Sequence, residues 1–491
     1  GLGDVYKRQT MERGLRVQVA SLNAGGHFDG SAAPDLTEWL VPSISEDEAR
    51  AYSTGAPRGD LAPREAPDVY AVAFQEFAPL HAALAGRISR NLARVDKEIR
   101  RAVRVHQAVV RSDRMYDPLE RGGGPENYCK LAEVNHAGLT LYVYARERAP
   151  QTAKMPSAAV RVREVRVARV GTGLGGLLGN KGAVGARVVL QALAPGGPDE
   201  VLTFVGAHLT AHEHLLARRN ADWRAIVERL VFSPADVQPL PIVQVHSSEG
   251  PLPHLPKTMS QEPQARPASA LDDRSYSLYD THYLFVQGDL NYRIATGGEK
   301  GAPPTSRDVH LAARSPDTWA ALAPYDQLVQ QRAASRAFHA LEVPDMGAWR
   351  VPPTYKYKKH GRADELSPKR APAWTDRLLW GARMSAAVRC ELYRSVMRYT
   401  ISDHKPITAI LELPVHAQPA EFLAAPWPID PRWRLWRALG DVADRIVGYA
   451  WSALLLLGNG HLGLAVLELA LLTALAAYWL QYGLLPGAFR W

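Results

Sequence analysis

The chain has 491 residues, 46% of them apolar, a formal net charge of +8 and two cysteines. That length exceeds a single small module and suits one large α/β domain with appendages. Cys129 and Cys390 exclude a disulfide framework or thiolate metal cluster and fit a reducing compartment, while the positive charge suits a phosphate-rich partner: nucleic acid, inositol phosphate or an anionic membrane surface.

Residues 1–10 precede Met11, lack an apolar core of signal-peptide length and are set outside the fold as extraneous. The catalytic domain is expected over 11–415. Apolar patterning predicts strands over Leu15 to Leu22, Val69 to Phe74, Gly138 to Ala145, Val160 to Arg169, Gly182 to Leu190, Val201 to Ala207, His282 to Gln287 and Ile407 to Leu413. Helical periodicity occurs in Leu80 to Val105, His212 to Leu230 and Asp317 to Leu341. Such mixing without strict alternation predicts α/β layers with mixed sheets. Arg161, Arg163 and Arg166 alternate with valines and read as the solvated face of a strand. Two segments rich in Pro and polar residues, 43–67 and 233–273, read as loop insertions, the second with Pro-rich pieces for a protein partner.

Chemistry-bearing residues gather at strand ends. The apolar strand ending at Phe74 is followed by Gln75-Glu76, and Val201 to Val205 leads to Gly206-Ala207-His208. After Tyr283 to Gln287 comes Gly288-Asp289-Leu290-Asn291-Tyr292-Arg293-Ile294, where Asp289 and Asn291 at i and i+2 point to one side. Then follow Pro372-Ala373-Trp374-Thr375-Asp376-Arg377-Leu378-Leu379 and Ser402-Asp403-His404-Lys405-Pro406. Each alone is an ordinary strand end; their order in one chain is the signal.

On these motifs the chain resembles the inositol polyphosphate 5-phosphatases, a branch of the endonuclease/exonuclease/phosphatase superfamily with signatures similar to W-x-G-D-L-N-Y-R-I and P-A-W-C-D-R-I-L. The resemblance covers roughly Leu15 to Val415 and implies two packed mixed β-sheets flanked by helices, with the site at one end of the sandwich. Departures are Ser21-Leu22-Asn23-Ala24-Gly25-Gly26 in place of a T-W-N-V-N-G pattern, Thr375 for the usual cysteine, and Gln287 at a usually aliphatic position.

Phosphate monoester hydrolysis needs a divalent cation, an oriented or activated water and donors for the transferring group. Hard oxygen ligands suit Mg²⁺, for which Glu76, Asn23 and Asp403 are the candidates. Asp289 is the residue to orient or deprotonate the attacking water, and Asn291 the amide for a phosphoryl oxygen. The resemblance further implies that His404 contacts the scissile phosphate and that His208 and Asp376 complete the polar shell. It implies that Tyr355, Lys356, Lys369 and Arg370 grip a 4-phosphate, and that Asn180 and Lys181, after the glycine-rich Gly171 to Gly176, lie toward a 1-phosphate. His212 and His214 read as structural.

Leu462 to Leu480 is an apolar run interrupted only by Glu468, about 28 Å long as a helix against a ~30 Å hydrocarbon core. It is expected to anchor the chain in a membrane, with Ile446 to Gly458 as the other arm of a hairpin or part of a longer kinked helix. Residues 416–445, with Arg432, Arg434, Arg437 and Arg445, form a basic juxtamembrane linker, placing the domain in the cytosol and leaving 481–491 as a short tail. The short span favours a thin membrane such as the endoplasmic reticulum. The expected activity is Mg²⁺-dependent removal of the 5-phosphate of phosphatidylinositol 4,5-bisphosphate, with a phosphoinositide lipid as partner and no nucleic acid. Alternatives are a soluble inositol polyphosphate or another phosphoester of the superfamily, and an inactive lipid-binding tether.

Overall fold

The computed structural model describes residues 14–26, 35–41, 66–113, 127–147, 162–191, 197–240, 273–297, 304–382, 388–414 and 421–482. Residues 1–10, Met11, most of 43–67 and 241–272 of the Pro-rich segment lie outside them.

The first sheet is built from β1 (Leu15–Asn23), β2 (Val69–Gln75), β3 (Asn127–His136), β4 (Leu139–Glu147), β10 (Arg389–Ser395) and β11 (Ile407–Leu413). The second holds β5 (Val162–Gly171), β6 (Gly182–Leu190), β7 (Glu200–His208), β8 (Tyr283–Asp289) and β9 (Asp376–Ala382). Their orders are β10-β11-β1-β2-β4-β3 and β5-β6-β7-β8-β9. Both sheets are mixed: β1 with β2 and β7 with β8 run parallel, whereas β8 with β9 and β1 with β11 run antiparallel.

Alternation explains why the sheets stack, because successive side chains leave opposite faces of a strand. Val17, Val19, Ala71, Ala73, Phe204, Phe285, Leu378 and Ile407 fill the shared core between the sheets. The intervening Ala20, Leu22, Tyr70, Val72 and Phe74 face outward onto helix Ser89–Asp113 through Leu92, Val95, Ile99 and Val103. On the other side Val205, Leu284 and Val286 meet Trp223, Ile226 and Val227 of helix Leu216–Arg229. Each fully buried aliphatic side chain contributes about 1.5–3 kcal/mol, so both faces of each sheet help to fix its register.

The same alternation builds the site. Followed to its end, the inner face passes from Val17 and Val19 to Asn23, from Phe204 to His208, and from Phe285 to Asp289. At β9 it begins with Asp376 before Leu378. Polar residues at the inner positions therefore collect at one end of the sandwich.

One expectation inside the fold is corrected. Arg166 is fully buried rather than solvated, its guanidinium bound to both Glu164 oxygens at 2.8 and 2.9 Å. Arg163, half exposed, pairs with Asp199 at 2.6 Å.

The membrane anchor is also corrected. Among the described residues, no helix is long and apolar enough to cross a membrane. The expected linker and the first apolar stretch belong largely to one helix, Trp433–Leu457, with Asp441, Asp444 and Arg445 at its middle. It lies on the domain: Arg437 grips Asp236 at 2.7 and 2.9 Å, and Arg169 grips Asp441 at 3.2 and 2.7 Å. The next helix, Leu462–Tyr482, has Glu468 in its apolar stretch and follows a turn containing Asn459 and Gly460. Counting apolar residues along the chain missed that the first helix turns charge toward protein partners. The anchor, its basic linker and the endoplasmic reticulum placement are therefore withdrawn.

Candidate active site

His208, Asp289 and Asp376 stand in one row across three adjacent strands: His208 pairs with Asp289 in the β7–β8 ladder, and Asp289 with Asp376 in the β8–β9 ladder. The row depends on Gly288, whose φ is 150° and whose place would not take a side chain, since a Cβ would meet Ala207 O at 1.9 Å. Glu76 at the end of β2 and Asn291 beyond β8 both have positive φ, at 46° and 58°. Such backbones cost on the order of 1–3 kcal/mol each and are held by their surroundings.

Asp289 is the hub. Its Oδ2 accepts from Asn23 Nδ2 at 2.9 Å, joining the two sheets, and its Oδ1 accepts from the Asn291 amide at 3.1 Å. His208 Nε2 lies 3.4 Å and His404 Nε2 3.8 Å from Oδ2. Burial by itself would raise the Asp289 carboxyl; the charged His404 ring above all, with Arg293, outweighs it and holds the group far below the ordinary carboxylate range.

His404 sits between two acids, with Nδ1 2.9 Å from Asp376 Oδ2. Burial opposes its charge, but Asp376 and Asp289 push its pKa up to about 10, so the ring is an imidazolium at neutral pH. His208 differs. Burial and then the neighbouring Lys181, whose Nζ is 2.6 Å from Nε2, press its pKa below the ordinary histidine value, so it is neutral.

Asn291 Nδ2 donates to Leu209 O at 3.0 Å, while its Oδ1 accepts from Arg293. Asn23 Oδ1 accepts from the Gly25 amide at 3.0 Å. Glu76 is half exposed, with Oε1 4.0 Å from His208 Nε2. Glu76 and Asn23 beside Asp289 are hard oxygen donors of the kind Mg²⁺ takes. Asp289, Asp376 and His404 also form a group that could hold a metal ion, their ligand atoms lying within 4.8 Å of one another. Because His404 Nδ1 is already bound to Asp376, the oxygen set suits Mg²⁺ better.

Asp403 is placed apart from Glu76 and Asn23 in the network of contacts: its carboxylate pairs with Lys356 and, at 3.6 Å, with Lys359. The basic rim converges on Tyr355. The Arg293 guanidinium lies 4.3 Å over its ring, Arg370 Nη1 donates to its hydroxyl at 3.2 Å, and its ring centre is 4.6 Å from that of His404. Burial favours the neutral phenol, yet Arg293 and Lys356 overcome it and lower the pKa, which marks a strongly positive locale. Lys369 and Arg370 are exposed at this rim. Asn180 and Lys181 enter from the β5–β6 loop, where Lys181 reaches His208 rather than the periphery.

Sequence reasoning overlooked Arg293, Thr354 and the hydroxyl of Thr375. Arg293 is two positions beyond Asn291, and the i, i+2 spacing that paired Asp289 with Asn291 could have included it. Thr375 Oγ1 donates to Asp376 Oδ2 at 3.0 Å, and Thr354 Oγ1 accepts from the Asp376 amide at 3.1 Å.

This fold and polar row are those of a phosphoesterase-type sandwich, and residues 23–410 match the family described as Endonuclease/Exonuclease/phosphatase family 2. The chain belongs to that family. Among curated proteins it is similar to human Synaptojanin-2, 26% identical over 432 residues that cover 82% of this chain and 23% of that protein. It is also similar to the Type IV inositol polyphosphate 5-phosphatase 3 of Arabidopsis thaliana, 29% identical over 298 residues that cover 60% and 35% respectively. The chain thus spans about a quarter to a third of these relatives. Its fold is shared with a crystal structure of the inositol polyphosphate 5-phosphatase domain of spsynaptojanin in complex with inositol (1,4)-bisphosphate and calcium ion. That likeness has a TM-score of 0.53 and 22% identity, covering 91% of this chain and 97% of the other.

Proposed function

We propose that the chain is a Mg²⁺-dependent phosphatase that removes the 5-phosphate of phosphatidylinositol 4,5-bisphosphate and leaves phosphatidylinositol 4-phosphate. The observation that carries this is the join between the catalytic row and the basic rim through one aromatic ring. Tyr355 touches His404 on one side and Arg293 and Arg370 on others. An inositol ring with phosphates on adjacent carbons matches two such anion sites side by side. The names of two curated relatives, an inositol polyphosphate 5-phosphatase and an inositol 1,4,5-trisphosphate 5-phosphatase, support removal of a 5-phosphate.

Glu76 and Asn23 would hold the cation, which supplies charge neutralisation at the phosphoryl oxygens. Asp289, ionised throughout the working pH range, accepts a hydrogen bond from the attacking water and aims it. A loose phosphoryl transition state asks for alignment and charge stabilisation first, which a carboxylate kept ionised by its neighbours supplies. Orienting is therefore the better of the two roles considered for Asp289. Asn291 has one amide hydrogen on Leu209 O and a second for a phosphoryl oxygen. The His404 imidazolium, anchored through Nδ1, offers its Nε2–H to the same group. Neutral His208 accepts from Lys181 and keeps that ammonium beside the catalytic row.

Phosphate release by the full chain from a panel of inositides, with Mg²⁺ and with a chelator, tests the reading. Metal-dependent release from the 4,5-bisphosphate is expected. No metal-dependent release from any 5-phosphorylated inositide would overturn it.

A further inference from the structure

Helix Trp433–Leu457 turns an unusual stripe toward the domain. Its buried middle positions are Gly440, Asp444 and Gly448, spaced four apart and so on one face, while Leu439, Val442, Ile446 and Tyr449 face outward. Glycine permits close approach at two of these points. A Cβ at Gly440 would lie 2.9 Å from Leu177 O, and one at Gly448 would lie 2.3 Å from Ala85 N. Between them the Asp444 carboxylate is buried, a placement that is costly without partners.

One partner lies on the loop that feeds the active site and the other, His136, at the end of β3. Asp444 Oδ1 accepts from the Gly179 amide at 2.9 Å, and Oδ2 lies 3.0 Å from His136 Nε2. Gly179 is wedged, since a Cβ there would meet His136 Nε2 at 2.6 Å and Ala137 Cβ at 2.8 Å. Two residues on, Lys181 places Nζ on His208, which borders Asp289. The loop's own bonds, Thr172 N to Lys181 O and Gly173 N to Leu178 O at 2.8 Å each, close its tip on itself. The glycine-rich loop is therefore held from outside by a helix that follows the domain in sequence.

We propose that this helix is a strap that sets the substrate loop, and that Asp444 is a positioning residue holding Gly179 so that Asn180 and Lys181 present their side chains to the phosphate-binding end of the site. Asp444 touches none of the reacting groups. It acts through the backbone of Gly179, and the proposal rests on the phosphatase reading of the site for its effect on turnover.

The test uses the full chain and three variants: Asp444→Ala, Asp444→Asn and Gly440→Ala. Hydrogen exchange of the Gly179 to Lys181 amides is measured with no substrate, and KM and kcat with a soluble short-chain phosphatidylinositol 4,5-bisphosphate. Asp444→Ala is expected to speed exchange in that loop and to raise KM about tenfold with a smaller change in kcat, as a misplaced binding group does. Asp444→Asn keeps an oxygen for the Gly179 amide and should restore most of both. Gly440→Ala presses on Leu177 from the same helix and should shift KM in the same direction; it carries the test if Asp444→Ala does not fold. Unchanged loop exchange in the folded variants would overturn the strap. So would a KM equal to that of the parent, or an Asp444→Asn as impaired as Asp444→Ala. An inactive parent chain would instead fault the phosphatase reading, and the exchange comparison would still judge the strap.

Discussion

Asp376 stands directly opposite Asp289 in the β8–β9 ladder, and both carboxylates lean on one imidazole, with His404 Nδ1 2.9 Å from Asp376 and Nε2 3.8 Å from Asp289. Two buried acids sharing one buried cation make a charge cluster whose members depend on each other. The arrangement keeps Asp289 ionised and His404 protonated at once, which suits a water-aiming group beside a donor to phosphate.

The charge of His404 should appear in stability. Its folded pKa of about 10 lies above the ordinary 6.5, so its contribution is fully present below about pH 6.5 and is lost as pH rises through about 10. In denaturant titrations of metal-free protein, the gap in stability between the parent and His404→Gln should narrow steadily across that window. A gap that stays constant from pH 6.5 to 10 would contradict the charged state assigned to His404.

Asp289→Asn and Asn291→Ala should each lower kcat by about 10²-fold or more while leaving a folded protein, because both groups act mainly on the transition state. Circular dichroism and steady-state kinetics decide it. Near-normal turnover in either variant removes that residue from the mechanism.

Thr375 occupies the position of a usual cysteine and donates to Asp376 Oδ2 at 3.0 Å. Thr375→Val takes away that bond and should cost about 1 kcal/mol of stability, together with a several-fold loss in kcat. Thr375→Cys, with a weaker donor, should fall between. If Thr375→Val matched the parent in both melting temperature and kcat, the hydroxyl would have no part in orienting Asp376.

The rim makes a prediction about specificity. Replacing Lys369 and Arg370 by alanine should penalise 4,5-bisphosphorylated inositide more than a substrate lacking the 4-phosphate. The ratio of kcat/KM on the two substrates measures it, and equal losses on both would show that the pair does not read that phosphate.

Much of the sandwich was legible because a strand buried on both faces reads as a short, nearly continuous apolar run. The strands predicted at Gly182 to Leu190 and Ile407 to Leu413 coincide with those observed. β3 escaped notice because a register shift between Lys130 and Ala132 breaks its alternation, and β10 because an edge strand such as Arg389–Ser395 carries few apolar residues. The helix read over Leu80 to Val105 is two helices, parted near Gly86 with its φ of 72°. Asp317 to Leu341 is broken by Pro324 and by Asp326, which caps the next helix.

At the site, His208, Asp289 and Asp376 come together because they end or begin neighbouring strands in register, while Asn291 and His404 join them through the turn after β8 and the bond to Asp376. The pairing of Asp403 with Lys356 was not visible, since it joins residues far apart in the chain whose charges alone name no partner. Asp444 was hidden for the same reason. In a linker read for its arginines, a single acid goes unremarked, and its contact with Gly179 exists only once the helix has folded back.

The central claim is that water removes one particular phosphate from the ring, and position-resolved product analysis in ¹⁸O-labelled water tests it most directly. With phosphatidylinositol 4,5-bisphosphate and Mg²⁺, the account predicts phosphatidylinositol 4-phosphate as the lipid product and one ¹⁸O in the released phosphate. Recovery of the 5-phosphate isomer, or of a cleaved lipid phosphodiester in place of inorganic phosphate, would contradict it.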